Sequence, residues 1–310
     1  MQCSGWTPGV TSEHPALIML RLALQWTRRL LEPRWEMYPR GHYYSPLPDY
    51  QEVDARAAEL FTREVDLGSS IQLNDEKQLE LVRRIGAIGG EFDWSAESEK
   101  QGRRFYLPNT WFEAADSLAL YGILRLYRPK RVIEVGSGFS SALMLDTNER
   151  FLDRSTHFTF IEPYPERLLS RLRPEDHAQV KIVQSPVQKV PLSTFEELGE
   201  NDVLFIDSSH VSKIGSDVNF LLFEVLPRLR SGCLVHFHDI FWPFEYLQEW
   251  VKQGKAWNEA YILRAFLQYN NAFEILLFNS YMGHAHRPVL EEVLPRFLKN
   301  TGGSLWLRKV

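Results

Sequence analysis

Cysteine is nearly absent: Cys3 and Cys233 are the only two among 310 residues. They lie far apart and form no CxxC pair. That excludes a disulfide framework and a thiolate zinc site, and it fits a reducing compartment. An excess of positive charge is also missing. The formal net charge of −5 argues against a nucleic-acid partner, which would call for a basic face. The short pairs Arg28–Arg29 and Arg103–Arg104 are read as solvated faces. No long apolar run occurs either. Residues 16–31 come nearest, but Arg21 interrupts them and Arg28–Arg29 end them, too short and too charged a stretch to span a bilayer. Their order of charge and apolarity is also wrong for a signal peptide. We expect an amphipathic helix there, docking on the body or on a partner, with no stable membrane insertion and a cytoplasmic location. Repeats and low-complexity tracts are absent.

What is present is ordinary globular material, 44% hydrophobic and 24% charged, with nine Trp. Residues 32–50 carry Pro33, Pro39, Gly41, Pro46 and Pro48 and read as a linker with turns. Residues 51–92 read as mainly helical, over 53–61 and 76–88. Thr110 and Glu113 match a capping box opening a helix that Pro129 terminates. From Arg131 onward strands and helices alternate. Short apolar or β-branched runs predict strands at 131–135, 157–161, 180–183, 203–206 and 233–237, then at 273–278 and 304–308. A helix is predicted over 212–229, with Ile214, Val218, Leu221, Val225 and Leu229 on one face. The expected fold is α/β, a Rossmann-like doubly wound seven-stranded sheet with an antiparallel last strand and an N-terminal helical extension. Two regions are expected: an extension and acceptor-side cap over 1–104, and a binding domain over 105–310. The N-terminal arm is also compatible with a homo-oligomer.

Ligands of open α/β sheets bind beyond the carboxyl ends of the strands. After the first strand the chain reads Glu134-Val-Gly136-Ser137-Gly138-Phe-Ser140-Ser141. Gly136 and Gly138 permit a tight turn and close backbone approach, and Ser140 can open the next helix. The second strand ends at Glu162, a carboxylate placed for two ribose hydroxyls. This pattern suits a nucleoside ligand, either NAD or S-adenosylmethionine. The third glycine of a dinucleotide loop is replaced by Ser141. The fourth strand closes on Asp207-Ser-Ser-His210 and the fifth on His236-Phe-His238-Asp239.

The ordered set resembles the class I S-adenosylmethionine-dependent methyltransferases over roughly residues 105–310, and within them the small-molecule O-methyltransferases of catechol and macrolide-sugar type. The resemblance implies that Glu134, Gly136, Ser137, Gly138, Ser140, Glu162, Pro186 and Asp207 serve the cofactor S-adenosylmethionine. It also implies a divalent cation such as Mg2+ on Asp207 and Asp239, with His238 standing where some members carry an acid. Two chemistries stay open. In one, His210 or His238 removes the acceptor's proton. In the other, Asp207 and Asp239 hold an ion that lowers the hydroxyl's pKa. Asp207, His210 and His238 are therefore the catalytic candidates. His236 and His238 are expected on opposite sheet faces, His236 being structural. Tyr106, Asn109, Trp111, Phe241 and Trp242 are expected to line a pocket for a small-molecule acceptor. An NAD-dependent oxidoreductase and a catalytically silent nucleoside-binding partner protein are the alternatives.

Overall fold

The computed structural model describes residues 37–310, so the helix expected at 16–31 lies outside them. The chain forms two units, one ending at Leu60 and the other running Phe61–Val310. In the first, Asp49 caps the helix Tyr50–Ala55 by accepting from the Gln51 and Glu52 amides, and the helix Ala57–Leu60 follows. Tyr38, His42, Tyr43 and Tyr44 pack on one another, with ring centroids 4.3 to 5.6 Å apart.

The second unit is a seven-stranded sheet in the order β3-β2-β1-β4-β5-β7-β6. Its strands are β1 Arg131–Val135, β2 His157–Ile161, β3 Val180–Val183, β4 Val203–Ile206, β5 Leu234–Phe237, β6 Phe273–Phe278 and β7 Leu305–Lys309. The first five pair in parallel, and β7 runs antiparallel to both β5 and β6. Every residue of β4 and β5 is buried, which is why these runs, His236 apart, read as apolar rather than alternating. Among the described residues, no helix is long and apolar enough to cross a membrane.

Register positions the site. Val135 pairs with Ile161 on one side and with Ile206 on the other, and Ile206 pairs with Phe237. The residues that follow these four therefore leave the sheet at one level: Gly136, Glu162, Asp207 and His238. The strand order turns outward on either side of β1 and β4, the place where ligands of such sheets lie.

Several local expectations change. The expected boundary at 104/105 falls inside the second unit. There the helix Asp75–Ile88 packs on the helix Ala114–Tyr127, and the Trp94 indole donates to Asp146 at 3.0 Å. Arg104 is not solvated. Its side chain is 1% exposed and binds Asp146 at 2.9 Å, Asp176 at 2.5 Å and Glu149 at 3.0 Å. This ties the segment before the domain to the helix Phe139–Phe151. Thr110 opens no helix. The helix starts at Ala114, the Asn109 side chain accepts from the Trp111 and Phe112 amides, and Glu113 accepts from the Asn300 amide instead. The predicted helix 212–229 begins only at Asp217, capped by Ser216, and passes through a π turn at Leu221–Val225 into Leu226–Arg228. Pro227 lacks the amide a continuing helix needs. Ile214 is fully exposed, and residues 208–216 form the loop that carries His210.

Candidate active site

At the β1 tip the backbone decides the shape. Gly136 has φ +82°, and a Cβ there would sit inside the carbonyl oxygen of Asp207, so the β1 and β4 turns can meet only through a glycine. At Gly138 a Cβ would press on Arg167 Cδ at 3.1 Å. Glu134 lies fully buried beneath this turn and accepts from the hydroxyls of Ser140, at 2.5 Å, and Ser141. Ser141 in turn accepts from the Gly138 amide at 2.9 Å. Burial pushes the Glu134 carboxyl up to about 8, although the serine hydroxyls pull it down. Glu134 and Ser140 thus brace the turn from inside.

Glu162 accepts from the Ser137 amide at 3.2 Å and from the Tyr164 amide at 2.9 Å. Both carboxylate oxygens retain acceptor capacity beside the turn. The hydroxyls of Ser137 and Ser208 are buried without a partner. Two orphaned donors and a carboxylate around a glycine turn fit a ribose-bearing ligand better than a closed core, where such groups are hydrogen-bonded. Pro186 stands exposed at the start of the turn after β3.

At the β4 and β5 tips, Asp207, His210 and Asp239 converge with ligating atoms all within 4.8 Å of one another. His210 Nε2 lies 3.5 Å from Asp207 and 3.6 Å from Asp239, while its Nδ1 meets the buried Glu259 at 2.9 Å. Trp257 covers the imidazole at 4.4 Å between centroids. His210 and Asp239 both hold left-handed backbone conformations, φ 58° and 59°, so their side chains are aimed by unusual turns rather than by regular structure. Burial opposes charge on His210. The hydrogen bonds to Asp207 and Glu259 outweigh it and raise the group to about 10. Asp207 is held below its ordinary range by His238 and His210 despite its burial, whereas burial drives Asp239 upward. His238 lies 3.6 Å from Asp239 and is raised, since the Asp239, Asp207 and Asp116 charges overcome burial.

The two strand histidines do not divide between faces. Residues two apart on a strand share one, and their rings lie 5.6 Å apart. His236 is structural as expected: it stacks on Phe205 at 3.7 Å, bonds Ser304 at 3.0 Å, and burial holds it neutral.

The expected acceptor wall is only partly assembled. Trp242 turns into the core, its indole donating to the Arg63 carbonyl at 2.9 Å and its ring packing on Tyr281. The Asn109 amide is spent on backbone groups of Tyr106, Trp111 and Phe112. Trp111 lies under Arg167 at 4.0 Å, and Tyr106 packs edge-on to Phe139; both border the glycine turn. Phe241 meets Trp250 on the β5 side. The sequence reading missed Glu259, Trp250 and Trp257. A signal was available in the run Trp250-Val-Lys-Gln-Gly-Lys255-Ala-Trp257-Asn-Glu259, dense in rings and charge directly after the β5 loop.

A family described as a methyltransferase domain matches residues 133–240, the stretch from β1 to just past the β5 tip. An uncharacterized protein of Archaeoglobus fulgidus is 38% identical over 170 residues, covering 54% of this chain and 76% of its own length. Among solved structures, the S-adenosylhomocysteine-bound methyltransferase PaMTH1 of Podospora anserina aligns over 86% of this chain and 99% of its own, at 15% identity and a TM-score of 0.41. The O-methyltransferase TomG of Streptomyces achromogenes, involved in tomaymycin synthesis, aligns over 84% of this chain and 96% of its own, at 15% identity and a TM-score of 0.42. The family match and the residues at the strand tips carry the assignment.

Proposed function

We propose that this chain is a class I S-adenosylmethionine-dependent methyltransferase that methylates a hydroxyl oxygen of a small molecule with the help of a divalent cation. The observation that carries the reading is the convergence of Asp207, His210 and Asp239 at the tips of β4 and β5. The cofactor supplies an electrophilic methyl group on a sulfonium. On this reading the Gly136–Gly138 turn receives its methionine part, Glu162 accepts from its ribose hydroxyls, and Pro186 borders its adenine. The unpartnered Ser137 and Ser208 hydroxyls supply further donors. The chain's main task is then positional, since in-line transfer needs the reacting atoms about 3–3.5 Å apart.

A cation on Asp207, His210 and Asp239 supplies a Lewis acid that lowers the hydroxyl's pKa. The donor set suits it: two carboxylates and one imidazole converge, and Glu259 fixes the ring through the far nitrogen as supporting carboxylates do in metal sites. The opposing version, His210 as general base, is disfavoured by its own surroundings. In the ion-free protein His210 is raised to about 10 and keeps its proton at neutral pH; a cation would displace the proton from Nε2, whereas a general base needs that nitrogen already free. Magnesium prefers an all-oxygen shell, so the imidazole favours manganese, iron, cobalt or zinc.

Calorimetry with S-adenosylhomocysteine, then methyl transfer to a phenol and alcohol panel before and after chelation, tests the reading. We expect cofactor binding, loss of turnover on chelation, and better recovery with Mn2+ than with Mg2+. Absence of binding overturns the whole reading, and chelation without effect overturns the ion.

A further inference from the structure

Beyond β5 the chain builds a corner of three rings. Trp250 and Trp257 meet edge to face at 5.2 Å, and Phe241 meets Trp250 at 5.3 Å. Trp257 is the same ring that covers His210, so the corner begins at the Asp207–His210–Asp239 cluster and leads away from it. Both tryptophans are half-buried, leaving ring surface accessible. Lys255 is folded back onto this corner. The loop turns at Gly254, with φ +82°, and the Lys255 amide donates to the Trp250 carbonyl at 3.1 Å. The ammonium then rests 3.7 Å from the Trp250 ring centre and 4.6 Å from that of Trp257. One indole thus has His210 against it and the ammonium close by.

A surface lysine often lays its stem along an aromatic ring while its charge stays in water. Lys255 does more than that. Two rings hold its charged end, burial lowers its pKa, and the Asp239 charge reaches it and raises it. Among the described residues the ammonium makes no ion pair. A held cation that makes no ion pair, beside ring surface and the Asp207–His210–Asp239 cluster, is complementary to a ligand that carries both an aromatic ring and a negative charge.

We propose that the methyl acceptor is an aromatic hydroxy compound bearing an anionic group, its ring received by Trp250 and Trp257 and its anion by the Lys255 ammonium. The proposal rests on the methyl-transfer reading above. The anion and the hydroxyl then lie at opposite ends of the ring, and pairing with Lys255 turns the hydroxyl toward Asp207 and Asp239.

The test is calorimetric. The full-length protein, saturated with S-adenosylhomocysteine, is titrated with hydroxybenzoates and hydroxycinnamates, each beside its own methyl ester. A charge-assisted contact gives the acids an advantage of about tenfold or more. Lys255→Met should level acid and ester, and Lys255→Arg should keep the preference. Undiminished binding of S-adenosylhomocysteine by each variant shows that it is folded. Acids no tighter than esters, a preference that survives in Lys255→Met, or a loaded protein that takes up no member of the panel overturns the proposal. Failure of S-adenosylhomocysteine itself to bind overturns the underlying reading instead.

Discussion

The two sides of the strand-tip rim are built differently. Around β1 and β2 the polar groups are settled by near neighbours: Glu134 by Ser140 and Ser141, Glu162 by the Ser137 and Tyr164 amides. Shape there comes from backbone freedom at a glycine. Around β4 and β5 the groups come from positions 207, 210, 239 and 259, and they crowd charge onto charge with left-handed backbone at two of the four. On the proposed function the first side holds the cofactor and the second reacts. Stability and turnover should therefore respond to different substitutions.

The largest effects are expected on the holding side. Gly136→Ala meets both the left-handed φ and the Asp207 carbonyl, so roughly 3 kcal/mol or more of stability should be lost, together with S-adenosylhomocysteine binding. A urea midpoint and affinity equal to wild type would contradict this. Arg104→Met leaves Asp146 and Asp176 buried without their cation, at a cost of about 3–5 kcal/mol in chemical denaturation. A variant as stable as wild type would show that the network is dispensable.

On the reacting side the signature inverts. Asp207→Asn should reduce kcat/KM by about 10²-fold or more while stability moves little. Loss of folding in step with activity would erase the contrast between the two sides. Glu259→Gln, which loosens the His210 ring, should cost about 10–100-fold in metal affinity or activity. It also sharpens a pH prediction. His210 in the metal-free protein is raised from 6.5 to about 10, the bonds to Asp207 and Glu259 outweighing burial. A raised histidine stabilises the fold fully below its unfolded pKa and loses that contribution as pH rises through the folded one. Stability should thus decline between pH 6.5 and about 10, and Glu259→Gln should flatten the decline. A flat wild-type profile would refute this. The smallest effect belongs to Trp111→Ala: losing the contact with Arg167 should weaken S-adenosylhomocysteine binding by about 0.5–1 kcal/mol. An unchanged affinity would remove Trp111 from the cofactor side.

The same division explains what the sequence revealed. The strands were legible because each is a short run rich in apolar, β-branched or aromatic residues; β5 starts one residue later than expected and β7 is displaced by one residue. The β1 turn was legible because its constraint lies within a few residues. Glu259 was not, because its role depends on a loop that brings it to a histidine 49 positions earlier. Apolar spacing at 212–229 suggested one helix, yet Pro227 and the exposed Ile214 make that stretch a loop followed by a broken helix. Ring content near 241–245 pointed to an acceptor wall. The core claimed Trp242, while Trp250 and Trp257, further along the chain, form the corner beside His210.

Asp116, on the helix before β1, accepts from the amides of Gly303 and Ser304 and from Asn279, and Gly303 in turn accepts from Ile240, next to Asp239. The start of β7 is thereby clamped between an early helix and the reacting corner. Loosening the first residues of β7 would therefore free the backbone beside Asp239, although the two lie far apart along the chain.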